Sequence, residues 1–181
     1  SSLLADEAAR WPTGVLRVRL GLNHAGCCRV VATPLDEDPV REWRVTIADE
    51  TLAADDYLLR HKTTARARYD RALAALAARP EVFDVIFLND RGEVCEGARS
   101  NIFVECNGVL LTPPLCCGLL PGVLRRKLLA SGRAVERVLR LDDLRRSAVV
   151  YVGNALRGLI PVTVEPGSSR TIFATSRSRP P

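Results

Sequence analysis

The chain has 181 residues, 47% of them hydrophobic and 26% charged, with 26 Lys+Arg against 21 Asp+Glu and a net charge of +5. That composition suits a globular protein of one domain, or of one domain and part of another, and speaks against a wholly disordered or membrane-spanning chain. No apolar run approaches the ~20 residues of a membrane-crossing helix and no charged-then-apolar leader opens the chain, so the expected location is cytoplasmic, with no membrane partner.

The charge is unevenly placed. Residues 1–121 hold 14 basic and 17 acidic groups, whereas residues 122–181 hold 12 basic and 4 acidic. A basic C-terminal third suits an anionic small molecule or a solvated surface. Without aromatics interleaved among the arginines, it does not read as a nucleic-acid face. The six cysteines at 27, 28, 95, 106, 116 and 117 have no C-x-x-C spacing, and His24 and His61 are the only imidazoles, so no metal site is expected. They read as reduced, semi-buried small hydrophobes. The chain lacks methionine and opens on what reads as the end of a helix, as a piece of something longer would.

In chain order, residues 14–22 alternate apolar and polar and residues 27–33 follow after a turn, a half-buried hairpin. Residues 43–48 give another strand, and residues 36–41, with Pro34 and Pro39 near them, a connecting loop. The expected organisation is a partial small N-terminal domain over residues 1–50, a larger domain over residues 51–165, and a loosely held Ser/Arg/Pro-rich tail over residues 166–181. A helix is predicted from Thr64 to before Pro80, with Tyr69, Leu73 and Leu76 on its core face. The apolar run of residues 82–88 suits a strand buried on both faces, and Asn89-Asp90-Arg91-Gly92 is a turn. Strands at residues 93–95, 101–106 and 109–112 form a meander, with Asn107-Gly108 as a tight hairpin turn. Glu96-Gly97 interrupts the meander, either as a plain turn or as a site. Pro121-Gly122 leads into a helix over residues 123–130, whose first N–H groups can hold a phosphate. Then come a strand at residues 134–139, a short helix at residues 141–147, and a strand at residues 149–152 running into Gly153-Asn154-Ala155.

Of the 26 basic residues only Lys62 and Lys127 are lysine. Arginine replaces lysine wherever a solvated charge suffices, but it cannot form a Schiff base. Lys62 is therefore either a solvated lysine beside a helix or a reactive amine. A position at the start of a helix eases its deprotonation if it is also buried.

Four segments, in this order, carry a resemblance. They are His61-Lys62-Thr63-Thr64-Ala65-Arg66-Ala67-Arg68-Tyr69-Asp70, Cys95-Glu96-Gly97-Ala98-Arg99-Ser100-Asn101-Ile102-Phe103, Gly118-Leu119-Leu120-Pro121-Gly122-Val123-Leu124-Arg125 and Gly153-Asn154-Ala155-Leu156-Arg157-Gly158. Together they resemble the fold-type IV pyridoxal-phosphate enzymes, which include branched-chain aminotransferases, D-amino-acid transaminases and aminodeoxychorismate lyases. The resemblance implies an α/β (α+β) fold with a mixed-sheet, pseudo-barrel large domain and pyridoxal 5'-phosphate as cofactor. It implies that Lys62 is the catalytic residue and binds the cofactor covalently, and that Glu96 pairs with the pyridine nitrogen. Gly122, Val123 and Leu124 would cradle the phosphate, with Leu124 standing where many relatives carry a hydroxyl. Asn154 and Ala155 would contact phosphate or substrate carboxylate. Arg66 is either a helix salt link or a cofactor contact, and Tyr69 a core residue.

Within that class the arginine at position 66 resembles the lyase module that makes 4-aminobenzoate, a step of folate-precursor synthesis. The implied substrate is a small amino compound, 4-amino-4-deoxychorismate, split to 4-aminobenzoate and pyruvate. The implied partners are a second copy in a homodimer and a fused or associated aminodeoxychorismate synthase component. Two alternatives stay open: an aminotransferase of the same fold, and a non-catalytic dimerisation module.

Overall fold

The structure is a computed structural model and describes residues 2–11, 13–35 and 42–166. The chain divides into two compact units, Ser1–Arg41 and Glu42–Pro181. The first unit holds helix α1 (Ser2–Ala9) and the antiparallel strands β1 (Leu16–Leu22) and β2 (Cys28–Pro34). Asn23 makes the turn between the strands: its Oδ1 accepts the N–H of Ala25 at 3.0 Å and of Cys27 at 2.8 Å.

The second unit is built on eight strands: β3 (Trp43–Ile47), β4 (Val82–Leu88), β5 (Val94–Gly97), β6 (Asn101–Cys106), β7 (Val109–Thr112), β8 (Ala134–Glu136), β9 (Val150–Asn154) and β10 (Gly158–Val164). Their order in the sheet is β5-β4-β3-β10-β9-β6-β7-β8. Strand β3 pairs in parallel with both β4 and β10, which places it inside this sheet. The division between units therefore falls at residue 41 rather than near residue 50. The expected tail lies, after Pro166, outside the described residues.

Pairing is mixed, as the α+β expectation requires. Parallel β4-β3-β10 and β7-β8 contacts alternate with antiparallel β4-β5, β10-β9, β9-β6 and β6-β7 contacts. The ends of the order are also joined. Val94 N–H donates to Leu139 O at 2.8 Å, and Glu93 bridges Arg140 just beyond β8, so the sheet curls into the pseudo-barrel. Strand β10 is not legible in the sequence because Pro161, which lacks an N–H, breaks its pattern. The β6–β7 turn is as read, with Asn107 and Gly108 both at positive φ, 50° and 78°.

Strand β4 is buried on both faces because its apolar residues are nearly continuous. Ile86 joins Val45, Ile102 and Val152 in one core, whereas Val85 and Phe87 join Leu52, Cys95 and Ala98 in another. Helices α2 (Ala67–Ala74), α3 (Val123–Ala130) and α4 (Leu141–Arg146) complete the unit. The cysteines are less uniform than expected: Cys95 and Cys117 are buried, and the other four are exposed and free. Among the described residues no helix is long and apolar enough to cross a membrane.

Ile102 is fully buried on β6, flanked by β7 and β9. Ile102→Ala is expected to lower unfolding free energy by about 2–5 kcal/mol in urea titration. A loss below ~1 kcal/mol would mean that this core is looser than described.

Candidate active site

A cavity of about 450 Å³ opens in the second unit. Four stretches line it: the segment before α2, the end of β5 with the bend after it, the loop entering α3, and the end of β9. These stretches carry the four sequence segments singled out above. Most of the candidate residues meet here.

Lys62 lines the cavity and is exposed. It lies in an irregular stretch after a short 3-10 turn, Tyr57–Arg60, and α2 begins at Ala67 rather than at Thr64. The delay is local: Thr63 Oγ1 accepts the Ala65 N–H at 3.2 Å and Thr64 O accepts the Arg66 N–H at 2.9 Å, which turns the chain before the helix can start. Lys62 is therefore neither buried nor capping the helix. Its access to the cavity is direct.

Glu96 sits within β5, so Glu96-Gly97 ends a strand instead of interrupting one, and the bend follows at residues 98–100. The residue is only 6% exposed. Tyr69 Oη donates to Glu96 Oε1 at 2.7 Å, and the Leu120 N–H donates to Oε2 at 2.9 Å. Burial pushes the Glu96 carboxyl up to about 7; the bonds from Leu120 and Tyr69 oppose that rise, and nearby Asp84 adds to it.

Asp84 is a second buried acid, placed in the middle of β4 with no exposed surface. It accepts Ser100 Oγ at 2.5 Å and the N–H of Val85 at 2.8 Å, and burial raises its affinity for a proton. A Cβ at position 97 would collide with Asp84 Oδ2 and come within 2.6 Å of Ser100 Oγ. Glycine follows Glu96 because the acid beneath the bend fills that space.

The loop entering α3 is clamped at both poles of one residue. Leu120 gives its N–H to Glu96, and its carbonyl accepts Asn101 Nδ2 at 2.9 Å. Gly122 caps α3 and again has no room for a side chain, because a Cβ would collide with Asn101 Oδ1. The first-turn N–H groups of Val123, Leu124 and Arg125 have no carbonyl of their own helix to bond. Val123 and Gly122 line the cavity. The Leu124 side chain instead packs against the core cluster that holds Phe103, with Tyr151, and does not line the cavity.

Arg66 makes the helix salt link, bonding Asp70 Oδ1 and also Ala98 O, each at 2.9 Å, and it lines the cavity. Asn154 and Ala155 line the cavity too, but the Asn154 side chain is occupied: Oδ1 accepts the N–H of Leu156 and Arg157 at 3.0 Å, and Nδ2 donates to Arg99 O at 3.1 Å. Burial pushes the Cys95 thiol up and the Cys117 thiol up to about 12, so neither is a nucleophilic thiolate at neutral pH. The sequence does not show the polar contact of Tyr69 or the site role of Asp84, and Asn101 and Leu120 stand within the motif segments without a visible bonding role. Only Asp84 left a signal, as a lone acid in an apolar run.

The sequence matches the amino-transferase class IV family over residues 9–164. The chain belongs to that family. Among solved structures it is similar to a proposed amino-acid aminotransferase from Mesorhizobium loti, with 38% identity, a TM-score of 0.83 and coverage of 91% of this chain and 80% of that one. It is similar also to a hypothetical aminotransferase from Mycobacterium tuberculosis, described in a form with alpha-ketoglutarate and PMP bound, with 26% identity, a TM-score of 0.72 and coverage of 90% and 65%. An aminodeoxychorismate lyase from Vibrio harveyi is 30% identical over 68% of this chain and 47% of its own length. The chain spans 32–65% of the curated relatives it matches. Class IV relatives thus include both reaction types.

The raised Glu96 carboxyl gives a signed pH dependence. The native state holds this proton up to about 7, whereas the unfolded chain releases it near 4.5. Between those values the native state binds more protons, so stability falls as pH rises. In denaturant titrations across this window, Glu96→Gln should flatten the decline, with a remainder from Asp84. An unchanged slope would show that Glu96 is ionised throughout.

Proposed function

We propose that this chain is the pyridoxal-phosphate-binding part of a lyase that converts 4-amino-4-deoxychorismate to 4-aminobenzoate and pyruvate. The observation that carries the reading is the convergence on one cavity of an amine, Lys62, a buried acid, Glu96, and the unbonded N–H groups at the start of α3. The residues fit the group in chemistry. Lys62 would hold its aldehyde carbon, Glu96 its ring nitrogen, and the backbone of Gly122, Val123 and Leu124 its phosphate. The bound cofactor supplies an electron-withdrawing ring that stabilises negative charge at the carbon bearing the substrate amine.

Each residue then has a defined task. Glu96, buried with both oxygens hydrogen-bonded, would pair with the ring nitrogen and keep it protonated. Lys62 Nζ takes the proton from the amine-bearing carbon of the substrate. The carbon–oxygen bond to the enolpyruvyl group breaks, that group gains a proton at its methylene, and it leaves as pyruvate while the six-membered ring becomes aromatic. No oxidant or keto acid is consumed.

The lining charge favours this substrate over a branched-chain amino acid. Arg60, Lys62, Arg66, Arg99 and Arg126 face the cavity with Glu96 as the only acid among the described lining residues. With the cofactor phosphate common to both readings, two substrate carboxylates answer that charge better than one carboxylate on an apolar side chain does. The same reading takes in a second copy of the chain, a synthase component as partner, and a cytoplasmic setting.

Purified protein given pyridoxal phosphate and 4-amino-4-deoxychorismate, with no keto acid, is expected to release pyruvate, and Lys62→Arg to lower turnover by at least about 100-fold. Amine transfer that requires a keto acid, without pyruvate release in its absence, would establish the aminotransferase instead.

A further inference from the structure

Glu96 has one side-chain donor among the described residues, the hydroxyl of Tyr69. The other bond comes from a backbone N–H, so the placement of Oε1 depends on a single tyrosine. That tyrosine is itself fixed. Its ring meets Phe87 edge-on with centroids 5.2 Å apart, and the Arg66 guanidinium lies 5.5 Å from its centroid. Arg66 is in turn bonded to Asp70 on α2 and to the carbonyl of Ala98 in the bend after Glu96.

We propose that Tyr69 is a positioning residue, whose hydroxyl sets the orientation of the Glu96 carboxylate toward the cavity, where it would accept a hydrogen bond from the protonated ring nitrogen of the cofactor. The proposal rests on reading Glu96 as the partner of that nitrogen. Packing alone would be satisfied by phenylalanine. The hydroxyl reaches past the apolar contact with Phe87 to a buried acid, and a buried hydroxyl–carboxylate bond is among the stronger hydrogen bonds a protein makes.

The groups that bear on Glu96 are few: Tyr69 and Arg66 from the α2 region, Asp84 from β4, Cys95 beside it on β5, and the Leu120 N–H from the loop. Lys62 and Arg126 line the same cavity. Removing the hydroxyl takes away a donor that favours the charged carboxylate, so the proton should be held more tightly.

The test is the titration of Glu96 by carbon-13 NMR in cofactor-free protein labelled at glutamate carboxyls, with Glu96→Gln identifying the signal. The wild-type midpoint is expected at about 7. Tyr69→Phe keeps the ring and should raise the midpoint by about one pH unit, roughly tenfold in proton affinity. Phe87→Leu loosens the ring but keeps the hydroxyl, and should leave the midpoint at the wild-type value. An unchanged midpoint in Tyr69→Phe, or an equal shift in both variants, would overturn the proposal. Absorbance titration of the wild type with pyridoxal phosphate tests the cofactor reading separately. Failure to bind would overturn the role toward the ring nitrogen, while the coupling of Tyr69 to Glu96 is read without cofactor.

Discussion

The site depends on one buried carboxyl. Glu96 takes a hydrogen bond on each oxygen, from Tyr69 on α2 and from Leu120 in the loop before α3, and so joins the segment that follows Lys62 to the helix start that faces the same cavity. Removing an acid from water is costly unless its oxygens are bonded, and here both are. That arrangement sets the chemistry: a buried carboxyl bonded on both oxygens can pair with a ring nitrogen and keep it protonated.

The surroundings reinforce this arrangement. Asp84, beneath the bend after Glu96, holds Ser100 and leaves no space for a side chain at Gly97. Asn101 fixes the carbonyl of Leu120 and fills the space a side chain at Gly122 would need. Both glycines are therefore consequences of polar groups packed against the backbone. Neither has a positive φ. A close approach, and not backbone conformation, requires them.

The fold was legible wherever pattern is local. The apolar run of β4, the Asn107-Gly108 turn and the Pro-Gly entry to α3 each declare themselves within a few residues. The four motif segments also pointed to one site, and they do line one cavity. Other features depend on distant partners. Strand β3 belongs to the second unit only because β4 and β10 flank it, and Pro161 masks β10. The late start of α2 follows from side-chain and backbone bonds at Thr63 and Thr64. Tyr69 read as core because its spacing is that of a helix face, and its ring does pack there. Its hydroxyl's partner lies 27 positions along the chain, beyond the reach of periodicity.

The central claim is that the amine, the acid and the helix start form one pyridoxal-phosphate site with Lys62 as its covalent anchor. Borohydride reduction in the presence of pyridoxal phosphate, followed by mass mapping of the modified peptide, tests it most directly. Modification of Lys62 is the expected result. Modification of Lys127, which is exposed on α3 and does not line the cavity, or of neither lysine, would contradict the account.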